Sequence, residues 1–150
     1  MTYRHTQRGI VFIAALAMGI VVNLLSAGTT GTAQPIHIGI IGLLGLALFT
    51  FLSLTVEIEN STLECRLGIG IIRKTIQLTR VREAQRVRLP WYAGWGVRWI
   101  PGQYIIWRVS GLEAVELVMI DGSRFRIGTD QPEELVQAIR KNSTLHQVQS

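Results

Sequence analysis

Four closely spaced arginines are the most distinctive polar residues of this 150-residue chain: Arg80, Arg82, Arg86 and Arg88. If 80–88 is one β-strand, even-numbered side chains share a face and the four guanidinium groups form a row around Ala84. Planar guanidinium groups bind phosphate and carboxylate groups through paired hydrogen bonds. The row, extended by Arg73 and Lys74, therefore predicts a site for an anionic lipid headgroup or an acidic partner. The alternative is a solvated face whose charge serves only membrane topology.

Aromatic residues follow this basic segment directly. Trp91, Tyr92 and Trp95 lie in LPWYAGWG, where proline and glycine predict a loop. Tryptophan and tyrosine favour membrane and protein interfaces, so these three residues are candidates for an exposed interface. Trp99 and Trp107 are predicted instead to fill the core of a small β domain.

Residues that could perform catalysis do not form a recognisable set. The histidines His5, His37 and His146 have no metal-ligand spacing, and no sequence pattern pairs them with a nucleophile such as Cys65. The GIG segment lacks the further glycine and lysine of a phosphate-binding loop. The sequence therefore predicts a non-enzymatic protein with no catalytic residue, no metal and no cofactor.

The N-terminal third of the chain is apolar, and it determines where the domain that carries these residues lies. No Asp, Glu, Lys or Arg occurs between Arg8 and Glu57, and this block contains two 19-residue apolar runs, 9–27 and 36–54. As helices, each would be about 28 Å long, close to the thickness of the hydrocarbon core. The Gly- and Pro-bearing connector predicts a tight turn, so 1–54 is predicted to be a two-span transmembrane hairpin. A buried soluble hairpin lacks support because neither run has a polar stripe; a cleaved signal peptide is the other alternative.

The distribution of charge predicts the orientation of this hairpin. The net charge is +5, Arg4 and Arg8 precede the first run, and basic residues resume at Arg66 after an uncharged connector. Because cytoplasmic flanks carry excess Lys and Arg, both termini are predicted to be cytoplasmic and the protein integral to a bacterial plasma membrane. A domain tethered beside a bilayer argues against nucleic acid as a partner, although basic and aromatic residues are mixed. Three glycines in the second run would support hairpin packing or a homo-oligomer: Gly39, Gly42 and Gly45.

From residue 55 the hydrophobic period changes to two, which predicts a mostly-β domain over 55–141. Eight strands are expected near 55–59, 62–67, 71–78, 81–89, 97–100, 103–109, 114–120 and 124–129. Asp121-Gly122 is the strongest hairpin signal. Asp130 and Glu133 predict a capping box for a closing helix over 131–141, and 142–150 is predicted to be a flexible tail.

Three segments of this domain, together with Tyr104, resemble those of small bacterial membrane proteins that carry a pleckstrin-homology-like (PH-like) domain: GWGVRW (94–99), VSGLEAVEL (109–117) and above all DGSRFRIGTDQPEELVQAI (121–139). The resemblance covers 55–141. It implies bent, near-orthogonal antiparallel sheets, a partial barrel, closed by a C-terminal helix, and recognition of proteins or lipids rather than catalysis. Phosphoinositide-binding relatives use a basic loop between their first two strands. The acidic EIENSTLEC stands there, so that specificity is not implied.

These observations together predict a membrane scaffold. It would present a cytoplasmic PH-like domain to an unknown protein partner or to anionic lipid headgroups. The alternative function is a structural or regulatory subunit of a larger membrane complex, with the glycine-bearing spans as its interface.

Overall fold

The computed structural model describes residues 3–30 and 35–147. Within these residues the chain forms nine β-strands, three α-helices and two short 3-10 helices. The strands are β1 (Tyr3–Arg8), β2 (Ser53–Glu59), β3 (Thr62–Leu67), β4 (Ile72–Gln77), β5 (Val81–Arg88), β6 (Gly96–Ile100), β7 (Tyr104–Arg108), β8 (Glu113–Met119) and β9 (Arg124–Gly128). The helices are α1 (Ile10–Thr30), α2 (Pro35–Phe51) and α3 (Pro132–Gln147), with 3-10 turns at Leu78–Arg80 and Trp91–Ala93.

The strands form two sheets that enclose one core with α3. Sheet A has the order β1-β2-β3-β4, and sheet B has the order β5-β8-β9-β7-β6. Alternate side chains of β2 and β3, the inner face of sheet B and the apolar face of α3 are buried together. The predicted mostly-β domain with a C-terminal helix is therefore confirmed. The expectation of wholly antiparallel sheets is wrong for sheet B, because β7 and β9 pair in parallel.

The N-terminal apolar region is helical, and its two helices differ in length. Residues Ile10–Thr29 have a mean hydropathy of 2.5 and are long and apolar enough to cross a membrane. Helix α2 has 17 residues and is shorter than that. The second run ends as a helix at Phe51 rather than at residue 54, because β2 begins at Ser53. The two helices pack side by side, with the rings of Phe12 and Phe51 stacked at 5.2 Å.

Strand β1 is the element that sequence analysis did not find. It pairs antiparallel with β2 from Tyr3 opposite Ile58 to Arg8 opposite Ser53. Sheet A therefore begins upstream of the boundary predicted at residue 54, and α1 and α2 are an insertion between two adjacent strands. The amide of Gly9 donates to the carbonyl of Leu52 at 2.8 Å, so the helices follow the strands without a linker.

The remaining bounds are close to those predicted from the sequence. Every predicted strand is found within two residues of its expected ends. Helix α3 continues to Gln147, beyond the predicted end at 141, so most of the segment 142–150 expected to be a flexible tail is helical; 148–150 lie outside the described residues.

The prediction of a capping box at the start of α3 is wrong, because Asp130 and Glu133 make other contacts. Asp130 accepts a hydrogen bond from Nε2 of His5 at 2.6 Å, so it ties the helix start to β1. Glu133 pairs with Arg86 on β5. The hydroxyl of Thr129 accepts a hydrogen bond from the amide of Gln131 at 3.1 Å at this helix start. Both carboxylates therefore join elements rather than cap the helix.

Candidate functional site

The four arginines singled out from the sequence do not form one row. Arg80 belongs to the 3-10 turn that precedes β5, and the pairing of β5 with β8 shifts register between Val81 and Glu83. This bulge places an extra residue, Arg82, in the strand and breaks the alternation on which the prediction depended. The side chain of Ala84, expected at the centre of the row, is buried in the core. The prediction of a single guanidinium row is therefore wrong.

Two of these arginines face carboxylates of the same domain. Arg86 donates to Glu113 at 2.8 Å and also pairs with Glu133 on α3. The hydrogen bond and charge of Glu113 raise the pKa of Arg86, and the hydrogen bond from Arg86 lowers the pKa of Glu113. Arg88 lies opposite Glu113. Arg82 is exposed and forms no ion pair with any residue in the described ranges. Arg86 therefore fastens α3 to sheet B instead of offering its charge to a ligand.

A cleft between the two sheets gathers positive charge from three separate elements. It has a volume of about 280 Å³. Its charged lining residues are Lys74 on β4, Arg80 after it, Arg124 on β9 and Asp121 in the β8–β9 turn. Its apolar lining consists of Ile76, Ile105, Met119 and Phe125. Three cations against one carboxylate over an apolar floor suit a ligand that is both acidic and apolar. We call this site the intersheet cleft.

A neighbouring depression extends the intersheet cleft along the edge of sheet B. It has a volume of about 390 Å³ and shares Asp121, Arg124 and Ile105 with the cleft. Trp99 and Tyr104 line its far side. Trp99 was predicted to be buried, but it is 69% exposed, because β6 is an edge strand. An exposed indole therefore stands beside the cations.

Asp121 is the single acidic residue of the cleft, and local bonds hold it. Its carboxylate accepts hydrogen bonds from the amide of Ser123 at 2.9 Å and from the Ser123 hydroxyl at 2.6 Å. These bonds, and the charge of Arg80, keep the pKa of Asp121 below its usual range. The predicted Asp121-Gly122 turn is present, with Gly122 at φ 85°. Asp121 therefore keeps its negative charge, and the cleft attracts anions because its three cations, Lys74, Arg80 and Arg124, outnumber this single carboxylate.

The outer face of sheet B carries a compact polar network that sequence analysis missed. Glu116 is buried, and it accepts hydrogen bonds from Arg126 at 2.7 Å and from Gln85 at 3.0 Å. The guanidinium of Arg126 also stacks on Tyr104, 3.7 Å from the ring centre. Burial alone would raise the pKa of Glu116, but the bonds from Arg126 and Gln85 outweigh burial and lower it. The network is satisfied internally and stabilises the sheet.

Arg108 lies on the same face, but no carboxylate of the described residues pairs with it as Glu116 pairs with Arg126. Its side chain is 2% exposed, and its Nε has no hydrogen-bond partner. Its contacts are a 3.5 Å hydrogen bond to the carbonyl of Pro90 and the ring of Trp95 at 5.6 Å. Burial lowers the pKa of Arg108. Arg108 is thus a buried cation whose charge no carboxylate within 3–30 and 35–147 neutralises through an ion pair.

The tryptophans divide into one buried side chain and three exposed ones. Trp107 is buried in the core beside Phe125, as predicted. Trp91, Tyr92 and Trp95, the residues proposed as interface aromatics, are all exposed on the loop between β5 and β6. Trp91 and Tyr92 stand on its short 3-10 turn.

Among the residues that the structure describes, no three His, Cys, Asp or Glu side chains are grouped so that they could hold a metal ion. Cys65 is buried in the core, and burial raises the pKa of its thiol. No protein-family model matches the sequence, and a search of curated proteins gives no match. The function is therefore inferred from the geometry of the molecule.

Proposed function

We propose that this protein is a non-enzymatic, membrane-anchored recognition module. Helices α1 and α2 form a two-span hairpin in a bacterial plasma membrane with both termini in the cytoplasm, and the β domain presents the intersheet cleft to an acidic partner. We further propose that the domain is PH-like. Two sheets closed by a C-terminal helix support that assignment, and the parallel β7–β9 pair is a departure from it.

One observation carries the anchoring proposal: α1 and α2 stand between two paired strands. Because β1 and β2 are hydrogen-bonded neighbours, they lie on the same side of any membrane. The chain between them must therefore cross an even number of times. If α1 spans the membrane, α2 must cross it in the opposite direction. Its 17 residues form about 26 Å of helix, which is enough to cross because a bilayer can thin locally around a short helix.

The exposure of the helices supports lipid as their surroundings. Only 6% of the apolar window of α1 is buried, and α2 has no buried residue among those described. A soluble protein rarely leaves so large an apolar surface in water. The strand that precedes α1 also belongs to sheet A, which weighs against removal of the first helix as a signal peptide.

The position of the cleft supports a partner from the cytosol. The amide of Ile120 donates to the carbonyl of Arg80 at 2.9 Å, so the cleft lies at the β8–β9 turn. The opposite end of sheet B faces the helices, because Gly96, which pairs with Arg108, lies beside the ring of Phe51. The length of the strands, about 20 Å at 3.3 Å per residue, separates the two ends. An acidic protein segment can reach the cleft more easily than lipids of the same membrane.

Binding of a defined acidic probe tests this proposal. The probe is a synthetic peptide of alternating Glu and Phe. It is titrated against full-length protein in nanodiscs of zwitterionic lipid while the tryptophan fluorescence, to which exposed Trp99 contributes, is followed. Arg124→Glu should weaken binding at least tenfold, because it places a carboxylate in the cleft, and added salt should weaken wild-type binding.

Arg82→Glu is the matched control, since it makes the same change of charge at an exposed site outside the cleft. Equal loss of affinity in both variants would contradict a specific site. Stronger binding of the wild type to anionic vesicles than to the peptide would assign the cleft to lipid headgroups instead.

The second candidate function is a subunit of a larger membrane complex. The glycines Gly39, Gly42 and Gly45 of α2 have open space where a Cβ would stand, so another helix could approach that face closely. Cross-linking in native membranes would separate the two functions. Replacement of these glycines by leucine should abolish a defined complex if the subunit function is correct, and should leave peptide binding unchanged.

A further inference from the structure

We infer that the β domain makes a second contact with lipid, through an apolar rim at its helix-facing end. The rim, here called the basal collar, consists of Ile69 and Ile71 in the β3–β4 turn and Trp91, Tyr92 and Trp95 in the β5–β6 loop. This inference rests on the proposed anchoring. It adds that the domain is partly embedded in the headgroup layer, in one fixed orientation, and is not merely tethered.

The β3–β4 turn is seated against the last turn of α2. The amide of Gly68 donates to the carbonyl of Ser53 at 2.7 Å. A Cβ on Gly68 would collide with the carbonyl oxygens of Phe49 and Thr50, so the turn touches the helix backbone. Ile69 and its neighbour Ile71 are nevertheless exposed. Two isoleucines thus project from a turn at the level where α2 ends.

The β5–β6 loop reaches the same level from sheet B. A Cβ on Gly96 would stand 3.4 Å from the ring of Phe51, the last residue of α2. Trp95 directly precedes Gly96 and is exposed, with Trp91 and Tyr92 on the same loop. Indole and phenol rings favour the headgroup layer, where their apolar surface is covered and their polar atoms remain hydrated.

Exposed basic residues lie next to the apolar residues of the collar, on the side away from the helices, where lipid phosphates would be. Arg8, which pairs with Ser53 at the base of the helices, is exposed, as is Arg73, which follows Ile72 at the start of β4. Arg98, two residues beyond Gly96, is also exposed. Cations just outside an apolar rim can pair with lipid phosphates while the rim is buried.

Lipid fits the basal collar better than a second protein does. The collar adjoins the exposed apolar surface of α1 and α2, so the lipid that surrounds these helices in the proposed anchoring also reaches the collar. A partner protein bound at this height would have to displace the bilayer that surrounds the helix ends. The collar and the intersheet cleft also lie at opposite ends of the domain, so both can be occupied at once.

Nitroxide labels at single cysteines test the inference in full-length protein in liposomes. The test sites are Ile69→Cys and Trp91→Cys, and the control is Ile120→Cys, at the far end of β8. Ile69 and Ile120 are matched, being 67% and 68% exposed. Met18→Cys, on α1, reports the anchor, and buried Cys65 gives little background.

We expect collisions with oxygen to exceed collisions with a water-soluble nickel complex severalfold at positions 69 and 91, and the reverse at position 120. If the label at position 69 is as accessible to the nickel complex as the label at position 120, the inference is overturned. In that case, a label at position 18 that collides mainly with oxygen would still support the membrane anchor. A nickel-accessible label at 18 would overturn the anchor itself. Spin–spin broadening between copies at 69 or 91 would overturn the inference in favour of a dimer contact.

Discussion

Two arginines on the outer face of sheet B, Arg126 partly buried and Arg108 fully buried, differ in how the protein accommodates their charge. Arg126 satisfies the buried Glu116 and stacks on Tyr104, whereas Arg108 has one long hydrogen bond and an unpartnered Nε. Removal of one partner from a buried ion pair leaves an uncompensated charge, while removal of an unpaired cation leaves none. The same substitution should therefore cost much more stability at Arg126 than at Arg108.

Arg126→Met should destabilise the protein by about 3 kcal/mol, because Glu116 would lose its main partner while it remains buried. Arg108→Met should cost less than about 1 kcal/mol or stabilise the fold, since Met keeps the packing and removes an unpaired charge. Chemical unfolding in detergent, followed by tryptophan fluorescence, gives both free energies. A larger loss for Arg108→Met than for Arg126→Met would show that Arg108 has a partner of its own.

The lowered pKa of Glu116 predicts how stability depends on pH. A carboxyl group whose folded pKa is depressed contributes stability above its unfolded pKa of about 4.3, and this contribution is lost as pH falls through the folded value. Glu116→Gln should therefore destabilise the protein at pH 7, and the difference from wild type should shrink as the pH falls below about 4. Unfolding curves over this range would measure it; a constant difference would mean that the charge of Glu116 does not contribute.

At the scale of elements, the joint between α2 and the β3–β4 turn depends on one glycine. Gly68 and Gly70 both have positive φ, at 53° and 89°, but only at Gly68 would a Cβ meet backbone atoms of α2. Gly70→Ala should cost about 1 kcal/mol from backbone conformation alone. Gly68→Ala should cost at least about 3 kcal/mol, because the turn must also move away from the helix. Thermal unfolding of the two variants compares them, and equal losses would contradict a tight joint.

The elements that could be predicted from the sequence are those with a local signal. Alternation of apolar residues located β2 to β9, and the Asp121-Gly122 turn located the last hairpin. Strand β1 has no such signal, because the side chain it buries most deeply is the polar Gln7. Gln7 reaches the carbonyl of Ser110 at 3.4 Å, a partner distant in sequence. The parallel β7–β9 pair is likewise set by tertiary packing rather than by any local pattern.

The candidate site was predictable only in part, because tertiary packing brings its residues together and leaves no local pattern in the sequence. Arg80, Trp91, Tyr92 and Trp95 stand out by residue type, and Arg80 does line the intersheet cleft. Its fellow cation Arg124 comes from β9, and only the packing of the two sheets brings these side chains together. Sequence spacing also could not reveal the bulge at Arg82 or the ion pair between Arg86 and α3.

At the scale of the whole molecule, the pairing of β1 with β2 makes the topology testable by proteolysis. Arg82 is an exposed trypsin site in the β domain. Trypsin added outside intact spheroplasts should leave the domain uncut, and permeabilisation should allow cleavage, because the proposed orientation places both strands on the cytoplasmic side. Cleavage without permeabilisation would place the domain outside and contradict the proposed orientation.

The insertion of the helices between β1 and β2 also fixes an order of events during biosynthesis. The ribosome releases β1 first, but its partner strand emerges only after Gly9–Leu52 has been synthesised, which takes a few seconds at about 10 residues per second. In the proposed topology, the nascent β1 stays unpaired until both helices have entered the membrane and β2 has been synthesised. If the hairpin is inserted as proposed, sheet A can close only when both helices have entered the membrane and their two ends lie on the same side, because β1 and β2 must meet to pair.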